Sequence, residues 1–222
     1  MTQIPELVEG HHLTIRRISV SSMDNNVYLL TSRATGDQVL IDAADDPGAI
    51  ESLLAAASGD AESPSLRHIL TTHSHHDHIG ALAAVATAHP DAETLAGEAD
   101  ADAITAATGV RIDRRLRHGD TLILGGIELA VIGLRGHTPG SIALAYSDPD
   151  GAAQIFTGDS LFPGGVGNTG HDPARFASLF SDVVGRIFEE YRSEAVIHPG
   201  HGRSTTLSAE RPHLAEWRAR GW

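Results

Sequence analysis

Eight consecutive residues, Thr71-Thr72-His73-Ser74-His75-His76-Asp77-His78, place four imidazoles and a carboxylate close together. They follow Leu66–Leu70, an apolar run that reads as a short buried strand, and they precede an Ala-rich segment that reads as a helix stopping near His89-Pro90. Side chains alternate along extended chain, so His73 and His75 are expected to point the same way and His76 away from them. Asp77 and His78 are expected to enter the next helix. Neutral imidazole is a good ligand for zinc, iron or manganese, and an aspartate adds charge. The plain alternative is a histidine-rich surface loop. The chain carries 14 histidines in 222 residues, more than scattered positions would need.

Three further ligand-type residues follow apolar strand-like segments. His137 lies in Gly136-His137-Thr138-Pro139-Gly140, Asp159 in Phe156-Thr157-Gly158-Asp159-Ser160, and His201 in His198-Pro199-Gly200-His201-Gly202. Each is flanked by glycine, which lets backbone crowd close to a site. Taken singly each is an ordinary loop residue. In this order, behind the first cluster, they point to a common metal centre. Asp42 ends the apolar run Gln38–Ile41 as a turn residue. His198 reads as held by its own loop. His11, His12, His68, His89, His118 and His213 have no partner pattern. Gly165-Val166-Gly167-Asn168-Thr169-Gly170 matches a dinucleotide fingerprint by letters. That motif must join a strand directly to a helix, whereas Pro163 precedes it here and His171-Asp172-Pro173 follows. It reads instead as a lip beside Asp159, with Asn168, His171 and Arg175 within reach of substrate. There is no Gly-x-Ser-x-Gly elbow, Walker loop or His-Glu-x-x-His helix. The absence of cysteine excludes disulfides, thiolate metal sites and a cysteine nucleophile.

The ordered set His-x-His-x-Asp-His, then His, Asp and His, resembles the metallo-β-lactamase superfamily. The Thr-His-Ser-His-His-Asp-His, Gly-His-Thr-Pro-Gly-Ser and Thr-Gly-Asp-Ser-Leu-Phe segments are most similar to its hydroxyacylglutathione hydrolase (glyoxalase II)-like branch, from about Asn25 to Gly202. The resemblance implies an α/β fold, an αββα four-layer sandwich of two mixed β-sheets flanked by helices, with the site at the sheet edges. It implies two divalent metal ions, zinc first, with iron or manganese as alternatives. His73, His75 and His137 would hold one, Asp77, His78 and His201 the other, and Asp159 would bridge them. Asp42 would orient a ligand. The chemistry implied is cleavage of a small-molecule thioester or ester by hydroxide held between the ions, with Asp77 both ligating and accepting the proton. The branch's Gly-Cys-Gly-Arg-like loop reads Gly165-Val166-Gly167-Asn168 here, and 21 residues follow His201, so its C-terminal helical domain is expected to be absent. The substrate stays open. A rival of the same fold is the persulfide dioxygenase, which uses one iron on two histidines and an aspartate, here His73, His137 and Asp159. Its Arg-Thr-Asp-Phe-like segment is replaced by Asn168-Thr169-Gly170-His171. A nuclease and a non-enzymatic metal-binding module are further alternatives.

The elements that must position these groups can be read in outline. Leu13–Val20, Val27–Thr31, Gln38–Ile41, Leu66–Leu70 and Glu93–Ala96 read as strands in the first half. Thr121–Leu124, Ile127–Leu134, Ser141–Tyr146, Gln154–Phe156 and Ala195–Ile197 do so in the second. Helices are expected over Pro47–Ala57, up to Ala107, over Pro173–Tyr191 and over Ser208–Arg218. The length suggests one domain over residues 1–222, and 41% hydrophobic residues supply its core. The net charge of −13 argues against a nucleic-acid partner. The longest weakly polar stretch, Ile79–Ala88, is far short of the ~20 residues that span a bilayer. Residues 1–6 lack the basic and apolar regions of a signal peptide. A cytoplasmic location is expected, and the oligomeric state is open.

Overall fold

The computed structural model of the protein describes residues 6–221. Residues 1–5, most of the segment searched for a signal peptide, lie outside that range. The first sheet has seven strands in sequence order: β1 (Glu6–Glu9), β2 (Leu13–Val20), β3 (Asn25–Ser32), β4 (Asp37–Ile41), β5 (Ser65–Thr71), β6 (Glu93–Gly97) and β7 (Arg114–Leu116). Neighbours are antiparallel through β4 and parallel from β4 to β7. Parallel neighbours need crossovers, and these carry α1 (Pro47–Ala56), α2 (Leu82–Ala88) and α3 (Ala101–Thr108). The second sheet is built from β8 (Thr121–Leu124), β9 (Ile127–Gly133), β10 (Ile142–Tyr146), β11 (Gln154–Gly158), β14 (Val196–Pro199) and β15 (Thr205–Thr206). Its order is β15-β14-β11-β10-β9-β8. Only β11 and β14 pair in parallel, and α4 (Pro173–Val183) lies in the connection between them. A small hairpin, β12 (Leu161–Phe162) with β13 (Gly165–Val166), leads into that connection. The chain closes with α5 (Leu207–Glu210) and α6 (Leu214–Arg220).

Strand alternation sorts the core into three layers. Tyr28, Leu30, Val39, Ile41 and Leu70 of the first sheet meet Leu129, Val131, Leu144 and Phe156 of the second between the sheets. The opposite faces of the same strands, through Val27, Leu29, Leu40 and Ile69, pack on Ile50, Leu53, Leu82, Val85 and Ile104 of α1 to α3. Outside the second sheet, Ala143, Ile155 and Ile197 pack on Leu179, Val183 and Trp217. Strand β3 is buried along all eight residues because it is covered on both faces. The architecture is the expected αββα sandwich.

Three helix expectations change. His76–His78 form a 3-10 turn, and α2 starts only at Leu82. The amides of Gly80 and Ala81 go to the carbonyls of Ala44 and Ala43, which interrupts the helical ladder between the turn and α2. The expected Pro173–Tyr191 helix ends as α4 at Val183 and widens into a π turn over Val184–Phe188. The last helix is split by a 3-10 turn at Arg211–His213, where Pro212 has no amide hydrogen to donate.

Candidate metal centre

Four strand ends meet at one edge of the sandwich. His73 and His75 leave β5, His137 lies in the link from β9 to β10, Asp159 follows β11 and His201 follows β14. The parallel pairing of β11 and β14 sets the last two loops side by side, with Gly200 N donating to Gly158 O at 2.8 Å. The two sheets are stitched together here. Ile142 N donates to Thr72 O at 3.0 Å, Asn26 N to Gly200 O at 2.7 Å, and the Tyr28 hydroxyl to Pro199 O at 2.7 Å.

All seven expected ligand residues come together. Ligand atoms of His73, His75 and His137 lie within 4.8 Å of one another, and so do those of Asp77, His78 and His201. Asp159 lies between the groups. Its Oδ1 is 3.4 Å from His78 Nε2, and its Oδ2 is 3.3 Å from His201 Nε2 and 3.7 Å from His137 Nε2. His201 Nε2 is 3.2 Å from Asp77 Oδ2 and 3.1 Å from His78 Nε2. His73 Nε2, His137 Nε2 and Asp159 Oδ1 are buried with no hydrogen-bond partner. Buried polar atoms normally have one, and three orphans of ligand type facing a common space fit a cation.

The rings are turned so that Nε2 faces that space. His78 Nδ1 is 2.9 Å from Asp42 Oδ2, His137 Nδ1 is 2.7 Å from Asn168 O, and His201 Nδ1 is 2.8 Å from Met23 O. Each oxygen acts as acceptor, so Nδ1 keeps the proton and Nε2 keeps the lone pair. His73 Nδ1 lies 3.0 Å from Thr72 Oγ1, whose own proton goes to Asp42 Oδ2 at 2.8 Å. Asp42 also accepts from Thr72 N at 2.7 Å. It does so from a left-handed backbone, φ 59°, an uncommon conformation for a non-glycine residue. Asn25 Nδ2 donates to both the carbonyl and Oδ2 of Asp77, each at 3.0 Å.

Electrostatics divides the site into two ends. Burial pushes His73 well below its ordinary pKa and lowers His75 and His137 as well, which keeps these rings neutral. At the other end burial would lower His78, but Asp42 and Asp159 outweigh it and raise it to about 10. The hydrogen bond to Asp159 raises His201. Burial acts to raise Asp159, yet the imidazoles of His201 and His78 hold it far below the usual carboxylate range. The carboxylates thus favour positive charge at His78 and His201. A divalent ion supplies that charge while taking the lone pairs, releasing protons as it binds.

The neighbouring residues separate into those that face the site and those that build it. His76 is exposed and points away, as strand alternation predicts. His198 is buried against Phe156 and Tyr28, with Ser204 and Gln154 on its two nitrogens. Arg175 does not reach into the cleft. Its guanidinium donates to Gly136 O at 2.8 Å and to His137 O. Asn168 O accepts from His137 Nδ1 at 2.7 Å, and its side-chain Oδ1 accepts from Gly170 N at 2.8 Å. Sequence inspection misses Asn25 and Asp100, whose side chains work on loops distant in the chain. Neither carries a local signal that names its distant partner.

Residues 23–211 match the Metallo-beta-lactamase superfamily, and the chain belongs to it. A hydroxyacylglutathione hydrolase of Anaeromyxobacter dehalogenans is 38% identical over 180 residues, covering 80% of this chain and 61% of the relative. The chain therefore spans about three fifths of the length of such curated relatives. Among solved structures, ETHE1 from Myxococcus xanthus superposes with a TM-score of 0.75 at 25% identity, over 92% of this chain and 84% of that one. TTHA1623, crystallised in a di-iron-bound form, superposes with a TM-score of 0.67 at 31% identity, over 88% of this chain and 96% of its own. No helix among the described residues is long and apolar enough to cross a membrane.

Proposed function

We propose that this chain is a metal-dependent hydrolase that cleaves a thioester or ester of a small molecule. The observation that carries this is the meeting of two groups of ligand-type side chains, His73, His75 and His137 and Asp77, His78 and His201, with Asp159 reaching both. His73, His75 and His137 would hold one divalent ion, and Asp77, His78 and His201 the other. Asp159, with one oxygen toward His78 and the other toward His137 and His201, would serve both. When bound, the ions supply an acidified water and a Lewis acid for the substrate carbonyl. Asp77 turns Oδ2 toward His78 and His201, where Asn25 fixes it, and its Oδ1, 3.8 Å from Nδ1 of the exposed His76, would accept the proton of the attacking water. Asp42 and the carbonyls of Asn168 and Met23 hold the imidazoles still while charge develops. A thiolate departs without a proton, which suits a site whose titratable side chains are committed to ion binding. The 38% identity to a hydroxyacylglutathione hydrolase supports a thioester first. Imidazole and carboxylate ligands suit zinc, with iron and manganese as alternatives.

The second reading is a mononuclear iron persulfide dioxygenase on His73, His137 and Asp159, and the likeness to ETHE1 favours it. It leaves His75, Asp77, His78 and His201 without a task, so the two-ion hydrolase is preferred. Stripping the protein with a chelator and reloading it with zinc, iron or manganese tests both. The hydrolase account expects thioester or ester cleavage to vanish and to return with two equivalents of metal. Oxygen uptake on a persulfide with one iron, and no cleavage by any metal form, would overturn it.

A further inference from the structure

Three helices begin at an aspartate: α1 at Asp46, α3 at Asp100 and α4 at Asp172. Asp46 and Asp172 cap their own helices, accepting from Ala49 N and from Ala174 N and Arg175 N. Asp100 makes no such bond to α3. It is 1% exposed, and its carboxylate turns from its own helix onto two loops of the metal centre. Oδ2 accepts from Ser74 N at 2.9 Å and from Thr138 Oγ1 at 2.5 Å, and Oδ1 accepts from Gly140 N at 2.8 Å. Ser74 lies between His73 and His75, and Thr138 follows His137. The approach at Gly140 is so close that an added Cβ would lie 2.8 Å from Asp100 Cβ and Cγ. Ser141 extends the network, its Oγ 2.6 Å from Thr138 Oγ1 and accepting from Thr138 N at 3.1 Å.

A helix that forgoes its side-chain cap gives up local stabilisation. Here the same carboxylate instead joins the loop that carries His73 and His75 to the loop that carries His137. The donors are two backbone amides and a hydroxyl, all neutral. The Asp77, His78 and His201 group has its own anchor in Asn25, which donates to Asp77 and forms a backbone bridge to His201.

We propose that Asp100 is a positioning residue that fixes His75 against His137 and thereby sets the ion affinity of the His73, His75 and His137 group, separately from the other group. The inference rests on the two-ion reading. Asp100 touches neither ion nor substrate and acts through Ser74, Thr138 and Gly140.

The test is a zinc titration of the stripped full chain under chelator competition, with histidine-ring nitrogen NMR to show which imidazoles respond. In Asp100→Asn and Thr138→Val, one of the two affinities should fall by about 10- to 100-fold. Ring shifts should be largest at His73, His75 and His137 and smaller at His78 and His201, which share Asp159 with them. Thr138→Ser keeps the hydroxyl and should restore the wild-type pattern. Asn25→Ala should weaken the other affinity. If Asp100→Asn fails to fold, the Thr138 pair decides the question. A wild-type chain that takes up no ion at His73, His75 and His137 refutes the two-ion reading and this inference with it. A wild type that holds two ions, with both affinities unchanged or equally lost in the folded variants, refutes this inference alone.

Discussion

Asp77 has two oxygens and two tasks. Oδ2 faces His78 and His201 at 3.5 and 3.2 Å, and Oδ1, 3.8 Å from Nδ1 of the exposed His76, would take the proton. Replacing the carboxylate by an amide removes the base and weakens the ligand. Asp77→Asn is therefore expected to lower kcat by about 10²- to 10⁴-fold and to reduce bound metal from two ions toward one, measured by steady-state kinetics and elemental analysis. Unchanged turnover would remove Asp77 from the mechanism. Gly200 tests the closeness of the site. An added Cβ would overlap Asp159 Oδ1 and lie 2.7 Å from His78 Cε1. Gly200→Ala should lose metal while keeping its far-ultraviolet circular dichroism, and full metal content in that variant would contradict the crowding. The seven candidate ligands were legible in the sequence because His73, His75, Asp77 and His78 crowd into six residues, and because ligand type, strand-end position and flanking glycine coincide at His137, Asp159 and His201. Asn25 and Asp100 were not. Their bonds to Asp77 and Gly140 span 52 and 40 residues, and nothing near either in the chain announces the partner.

Strands were easier to read than helices for a physical reason. Alternation and β-branched runs mark β2, β3 and β8 to β11, and the ligands lie beyond the ends of β5, β9, β11 and β14. The short strands β1, β7, β12, β13 and β15 carry too few residues to show a period and depend on a neighbour for their hydrogen bonds. Helix limits were overrun where tertiary contacts intervene, at Gly80 and in the π turn after Val183. Helix α4 matters to the site because Arg175 in its first turn holds the carbonyls of Gly136 and His137. Its N-terminus is fixed by Asp172, which accepts from Ala174 N at 2.8 Å and Arg175 N at 3.1 Å. Asp172→Ala is expected to cost about 1 kcal/mol, a fall of about 2–4 °C in Tm for a chain of this size, with weaker metal binding. A melting curve and a chelator competition check both, and no change in either would show that the cap does not bear on the site.

The sandwich as a whole holds the site because its loops come from both sheets, so folding and ion binding are coupled. Ions that bind only the folded chain stabilise it by about 4 kcal/mol at a thousand times Kd, and chelation should lower Tm accordingly. Between the sheets, away from the ions, His198 gives the fold a pH dependence of its own. Burial lowers its pKa to about 4, against about 6.5 in the unfolded chain. The unfolded chain therefore binds the proton first as pH falls. The contribution is fully present above about 6.5 and is lost progressively down to about 4, to a total of about 3 kcal/mol. Urea unfolding of the metal-free chain across that range should show the slope, and His198→Gln should reduce it, the remainder coming from His73, His75 and His137, which burial also lowers. An equal slope in the variant would assign the effect elsewhere. The central claim is that two cations lie at this sheet edge, and anomalous diffraction from crystals of the metal-loaded protein addresses it most directly. The account predicts two peaks, one among His73, His75 and His137 and the other among Asp77, His78 and His201, with Asp159 reaching both. A single peak on His73, His137 and Asp159, or none at all, would contradict it.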